Sequence, residues 1–179
     1  MFQSFADTAS PDQGPPRLAQ VRAAMLAEGL AGYLVPRADA HQGEYVAPCD
    51  ERLAWLTGFT GSAGSCIVLP EIAGLFVDGR YRAQVRVQVD QAHFTPLDWP
   101  EVKPAPWLRE HLTTGGAVGF DPWLHTPDEI ATLETGLAGS AITLRPVTNL
   151  IDRIWHDRPA PPCGAITVYP EDLAGASHA

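Results

Sequence analysis

Apolar runs of only four or five residues recur along this chain, and most are separated by stretches with helical spacing. A run that short, bounded by glycine or proline, suits a buried strand and is too short for a helix. Residues 31–35 (AGYLV) are such a run, stopped by Pro36. Just before them, residues 17–30 put Leu18, Val21, Met25 and Leu26 on one helical face. Pro15 and Pro16 stand before the first turn, and Gly29 closes the helix. Helix, glycine, buried strand is the grammar of a layered α/β domain.

The pattern continues to residue 155. Residues 53–56 form a short helical piece, and residues 65–69 and 74–77 flank a Pro70-Glu71 turn as a hairpin. Residues 80–89 carry Tyr81, Val85 and Val89 at helical spacing, and 93–97 read as a weak strand. Residues 107–112 are helical after Pro100, Pro104 and Pro106, and 117–120 are a short strand. Thr126 caps a helix to 137, with Pro127 in the first turn and Asp128 and Glu129 near its positive end. Residues 141–144 are another strand, and Asn149 caps a last helix through Trp155. The expected architecture is α/β, a single sheet of about six strands with helices on its faces. Residues 1–16 read as a flexible leader and 17–158 as the domain. Residues 159–179 read as a proline-rich linker and the truncated start of something that follows.

Charge and cysteine usage narrow the function classes. Twelve basic residues against 21 acidic ones give a net charge of -9, against the basic footprint of a nucleic-acid binder. No apolar run approaches the roughly 20 residues of a membrane span. Three cysteines, Cys49, Cys66 and Cys163, share no CxxC spacing and read as free thiols in a reducing compartment. The cytoplasm is the expected location. The single lysine, Lys103, rules out a Schiff-base lysine anywhere else.

Candidate chemistry concentrates in residues 37–52 (RADAHQGEYVAPCDER), which have neither helical nor strand period. A loop that long and polar has a task. Asp39, His41, Glu44 and Asp50 lie in it, but a metal needs three or four converging ligands and no second cluster completes the set. Cys49 beside Asp50 is either an activated thiol or a small buried hydrophobe. Gly58, Gly61 and Gly64 form a glycine loop without the lysine and hydroxyl of a phosphate loop, and read as a tight turn into a strand. Ser62 and Ser65 have no GxSxG elbow around them. DGRY at 78–81 ends a strand and opens a helix, where open α/β sheets place ligands. Arg80 there either holds a carboxylate in its guanidinium fork or pairs with Asp78. No catalytic set is complete.

Several of these stretches occur together in one family. ADAHQGEYVAPCDER at 38–52, Trp55 and GFTGSAG at 58–64, DGRY at 78–81, VGFDPW at 118–123 and NLIDRIWHDRP at 149–159 follow in order. Jointly they resemble the amino-terminal domain of cytosolic Xaa-Pro aminopeptidase (aminopeptidase P), of the creatinase/prolidase group. Arg37 and Gly43 stand where relatives often carry serine. The resemblance implies the creatinase/prolidase amino-terminal fold, a mixed, ribonuclease H-like sheet. It implies a parent enzyme that removes the residue preceding a second-position proline. Two divalent ions, commonly manganese, would be held by two Asp, a His and two Glu of a carboxy-terminal domain. Nothing in this chain corresponds to those five ligands, so the chain alone is expected to be inactive. Its expected part is to wall the substrate groove and support assembly, with Arg80, His41, Tyr45 and Asp39 as groove residues. Expected partners are peptides with proline second and the remaining domains, with a homodimer left open, and no nucleic acid or membrane. A stand-alone binding or oligomerisation module, or the same domain in a creatinase or prolidase relative, are the alternatives.

Overall fold

The computed structural model of the chain describes residues 10–177. The expected leader lies outside the described residues as far as Ala9. A 3-10 turn at Pro11–Gln13 leads into α1, Gly14–Ala27. The helix thus begins earlier than the apolar spacing predicts. Pro15 and Pro16 occupy its first turn, where a missing N–H costs nothing. Its end is set by Gly29 at φ 62: Gly29 N donates to Leu26 O and Leu30 N to Met25 O, a Schellman closure that drops Leu30 beside Met25 in the core. Leu18, Val21 and Met25 are buried as their spacing requires, but Leu26 is 82% exposed. One residue past Met25 is about 100° round the helix, which carries Leu26 off the buried stripe.

Six strands form one sheet in the order β4-β3-β2-β1-β5-β6. They are β1 Gly32–Pro36, β2 Ser65–Val68, β3 Ala73–Val77, β4 Thr95–Asp98, β5 Gly116–Phe120 and β6 Ile142–Pro146. β2 runs antiparallel to both β1 and β3, which closes the expected hairpin. The pairs β1–β5, β5–β6 and β3–β4 are parallel. The sheet is therefore mixed, and the carboxyl ends of five strands share one edge with the start of β2.

Period-two alternation sorts the core between two faces. Tyr33, Val35, Cys66, Val68, Leu75 and Val77 face α1, α2 (Arg52–Thr57), α3 (Arg82–Gln88) and α6 (Leu150–Ile154). Leu34, Ile67, Phe76, Val118 and Phe120 face α4 (Pro104–His111) and α5 (Pro127–Leu137). Each buried aliphatic contributes about 1.5–3 kcal/mol, so both layers are needed for stability. The threonine cap expected at α5 is present and is part of a full capping box: Glu129 N donates to Thr126 Oγ1, and Thr126 N to the Glu129 carboxylate. Beyond Arg158 every described residue is exposed, including the four-residue α7, Glu171–Ala174.

Candidate functional site at the carboxyl edge

The strand directions bring to one rim both ends of the β1–β2 connection, the polar loop and the glycine loop, together with the turn after β3 and the segments after β4, β5 and β6. Open α/β sheets bind ligands at this edge. Two hollows lie there. One is a groove of about 1030 Å³ whose walls include Leu34, Phe76, Trp99, Ile130 and Leu133, with Arg37, Asp78, Lys103 and His125 among its polar groups. The other, of about 420 Å³, is lined by Asp39, His41, Asp50, Arg52, Asp121, Trp123 and Asp152.

Asp39 is the organiser of the polar loop. Its Oδ1 accepts from the backbone N–H of His41 and of Gly43, both at 2.9 Å. The Gly43 amide, with that of His41, holds the carboxyl below its usual range. The turn places Gln42 at φ 54 and leaves His41 exposed in the smaller hollow. Tyr45 is 90% exposed. Arg37 steadies the loop from its base, donating to Glu44 O and reaching Glu51 at 3.5 Å.

Arg80 sits in a turn and not at a helix start, because α3 begins two residues later at Arg82. Its guanidinium closes on Asp78 through Nε and a 2.7 Å bond from a terminal nitrogen, and its carbon lies 5.0 Å from the Tyr81 ring centre. The bond to Asp78 raises the pKa of Arg80 and lowers that of Asp78, and Glu44 adds to the first effect. Of the two alternatives for Arg80, the Asp78 pair is the one present. Asp39 and His41 line the smaller hollow, whereas Arg80 and Tyr45 line neither of the two, although Asp78, the partner of Arg80, lines the larger groove; the four sequence candidates are not brought into one pocket.

The glycine loop is a braced turn. Gly58 at φ 83 ends α2, and its N–H donates to Ala54 O. Gln88 holds Thr60 by two hydrogen bonds, and the Ser62 and Tyr81 hydroxyls meet at 2.5 Å. That contact ties Ser62 to Tyr81, whose pKa it lowers. Cys49 is buried, and burial raises its thiol pKa, which favours the small buried hydrophobe over the activated thiol. Cys66, inside the sheet, is pushed up to about 12 by burial.

The spacing of single residues did not reveal an ion-pair quartet behind the smaller hollow. Arg52 donates to both oxygens of Asp152 at 2.6 and 3.0 Å and to Asp50 at 2.9 Å. Arg158 reaches Asp152 at 2.8 Å, Asp50 at 3.1 Å and Cys49 O at 2.6 Å. Burial works against the charge on Arg52, and the two aspartates outweigh it. Nearby, Asn149 accepts from Ile151 N and Asp152 N to cap α6 and donates to Asp121 at 2.9 Å.

Chemically, the rim can hold an extended, partly apolar chain, since its larger groove is at the upper end of ordinary ligand pockets. Among the described residues no three His, Cys, Asp or Glu side chains converge to hold a metal ion. The divalent ions that the resemblance implies therefore find no set of donors in the described residues.

The profile of the Creatinase/Prolidase N-terminal domain matches residues 17–154. The chain is 41% identical over 169 residues to "Probable Xaa-Pro aminopeptidase P" of Arthroderma otae, covering 89% of this chain and 26% of that protein. It superposes on the X-prolyl aminopeptidase of Caenorhabditis elegans, described as a cytosolic enzyme with a di-nuclear active site, with a TM-score of 0.76 and 31% identity. That match covers 82% of this chain and 26% of the other. The amino-terminal domain of a cytoplasmic peptidase from Mycobacterium tuberculosis shares the fold, with a TM-score of 0.59 at 24% identity. Here the cover is 78% of this chain and 98% of that one.

Proposed function

Because this chain belongs to the creatinase/prolidase N-terminal domain family and spans about a quarter of the length of the Xaa-Pro aminopeptidase P relative it matches, we propose that it is the non-catalytic amino-terminal domain of a metal-dependent Xaa-Pro aminopeptidase. The observation that carries this reading is the carboxyl rim. It offers a large groove and a polar loop, and among the described residues no three His, Cys, Asp or Glu side chains that could hold a metal ion. In this reading the domain binds and screens, and cleavage is left to another part of the protein. Removing one residue from a chain end needs a site closed on one side, and a second domain leaning over the reacting centre supplies that wall. Arg80, His41, Tyr45 and Asp39 are the rim groups offered to the distal part of the peptide. The two divalent ions, manganese in this reading, belong to the part of the protein that follows. Cytoplasmic location is part of the same proposal. It is supported by the nematode relative's description and by the absence, among the described residues, of a helix long and apolar enough to cross a membrane.

The experiment is Arg80→Ala in the longer protein that carries this chain. Orientation of the peptide by the rim predicts kcat/KM reduced about 10- to 100-fold on Xaa-Pro peptides at unchanged Tm. A merely bracing Arg80–Asp78 pair predicts a lower Tm with kinetics intact, and rejects the groove role of Arg80. A reading frame that stops after Ala179 would favour the stand-alone module over the enzyme domain.

A further inference from the structure

The quartet of Arg52, Asp152, Asp50 and Arg158 joins two parts of the chain about a hundred residues apart. Asp50 ends the polar loop, Arg52 starts α2 and Asp152 lies on α6. Arg158 lies just past the family match, which ends at residue 154. It is also the last anchored residue, since every described residue after it is exposed. The fastening is asymmetric. Arg52 has a side chain only 6% exposed and holds Asp152 from within, whereas Arg158, at 27%, closes the quartet from outside. Arg158 also donates to the backbone of the loop itself, at Cys49 O. Two positive and two negative groups balance, so opening the outer arginine leaves two aspartates sharing one cation.

We infer that the quartet is a latch by which the chain leaving the domain at Arg158 sets the order of residues 39–50. With Arg158 seated, the loop is held against α6 and its Asp39 turn keeps His41 at the rim. With Arg158 drawn away, the loop loses its outer fastening and keeps the Arg52–Asp50 contact, the Arg37 tether and the burial of Ala38 and Cys49, and the stretch between these anchors loosens. Whatever displaces the segment after residue 158 therefore acts on the rim of the domain. Such coupling needs only one bistable element touched by both ends, and the ion-pair network provides it. Networks of this kind hold more firmly than isolated surface pairs, and salt weakens their exposed members. The inference stands on this geometry alone, whatever the domain's enzymatic context.

Amide hydrogen exchange of the 179-residue chain tests it. Arg158→Gln is expected to speed exchange across residues 39–50 about tenfold, leaving the sheet unchanged, because a local opening is read separately from global unfolding. Arg158→Lys keeps the charge but loses the fork, and should fall between wild type and glutamine. Arg153→Gln, on α6 beside Asp152 and paired with Glu28, should leave the loop as it is. High salt should move the wild-type loop toward the Arg158→Gln rate and leave that variant unmoved. Unchanged loop exchange in Arg158→Gln, an equal rise throughout the sheet, or the same rise in Arg153→Gln would each overturn the latch.

Discussion

Replacing Tyr33 by phenylalanine deletes one oxygen from the middle of the domain and leaves the ring where it is. Tyr33 is 1% exposed on β1, and its hydroxyl accepts from Leu150 N at 3.0 Å. Leu150 is fully buried at the first position of α6. The next two amides of that helix, Ile151 N and Asp152 N, are taken by Asn149 Oδ1. A five-residue helix makes little hydrogen bonding of its own, so its start depends on these acceptors. In the phenylalanine variant the Leu150 N–H is stranded away from water, which costs about 1–3 kcal/mol. At about 2–4 °C per kcal/mol for a chain of this length, Tm should fall by about 2–12 °C. Asn149→Ala should cost about 0.5–2 kcal/mol through the cap. The two changes touch one helix start, so the double variant should depart from additivity. Urea unfolding followed by circular dichroism measures all three, with the m value unchanged. Burial raises the Tyr33 pKa well above the ordinary tyrosine range, so the cost should not depend on pH below about 9. A phenylalanine variant as stable as its parent would show that the hydroxyl does not anchor α6.

Burial lowers the pKa of His125 from 6.5 against the pull of Glu129 and Asp121. Below that value the unfolded chain takes up the proton first, so this part of the stability is present above pH 6.5 and is lost as pH falls toward the lowered folded value. His125→Gln should therefore flatten the dependence of the urea midpoint between about pH 7.5 and pH 5. Gly58 has φ 83, and a Cβ there would stand 2.7 Å from Gln88 O; Gly58→Ala should cost about 1–3 kcal/mol by thermal unfolding. Gly79→Ala, with nothing within 4 Å of its Cβ and no positive φ, is the control expected to change little.

Local signals carried most of the architecture. The Thr126 cap, the Asn149 cap, Gly29 after α1 and the hairpin around Pro70 each read correctly because neighbours in sequence make the interaction. Errors arose where a turn side chain or the phase of the helix overrides the apolar spacing. The spacing of Tyr81, Val85 and Val89 extended α3 back over Arg80, yet Asp78 captures both the backbone and the side chain of Arg80 in a turn. Leu26 looked apolar enough to be buried, but it lies one step round from the stripe that meets the sheet. The candidate site was legible only as a list of polar loops. What separates Asp78 in one hollow from His41 in another is the order of the strands, which no local pattern states. The quartet was hidden for the same reason, since Arg52 and Asp152 are paired across a hundred residues. Trp99 and His125 could have been suspected from the proline cluster and VGFDPWLH, but only the packing of α4 and α5 makes them walls of a groove.

The central claim is that this domain shapes a substrate groove and leaves the chemistry to another part of the protein. The most direct measurement is release of the amino-terminal residue from a Xaa-Pro peptide by the purified 179-residue chain, with and without added manganese. The account predicts no turnover above a protein-free blank in either condition. It also predicts cleavage by the longer protein that carries the chain. Metal-stimulated turnover that copurifies with the 179-residue chain, and is lost on His41→Ala or Glu44→Ala, would contradict it, because it would place the reacting groups in the polar loop of this domain.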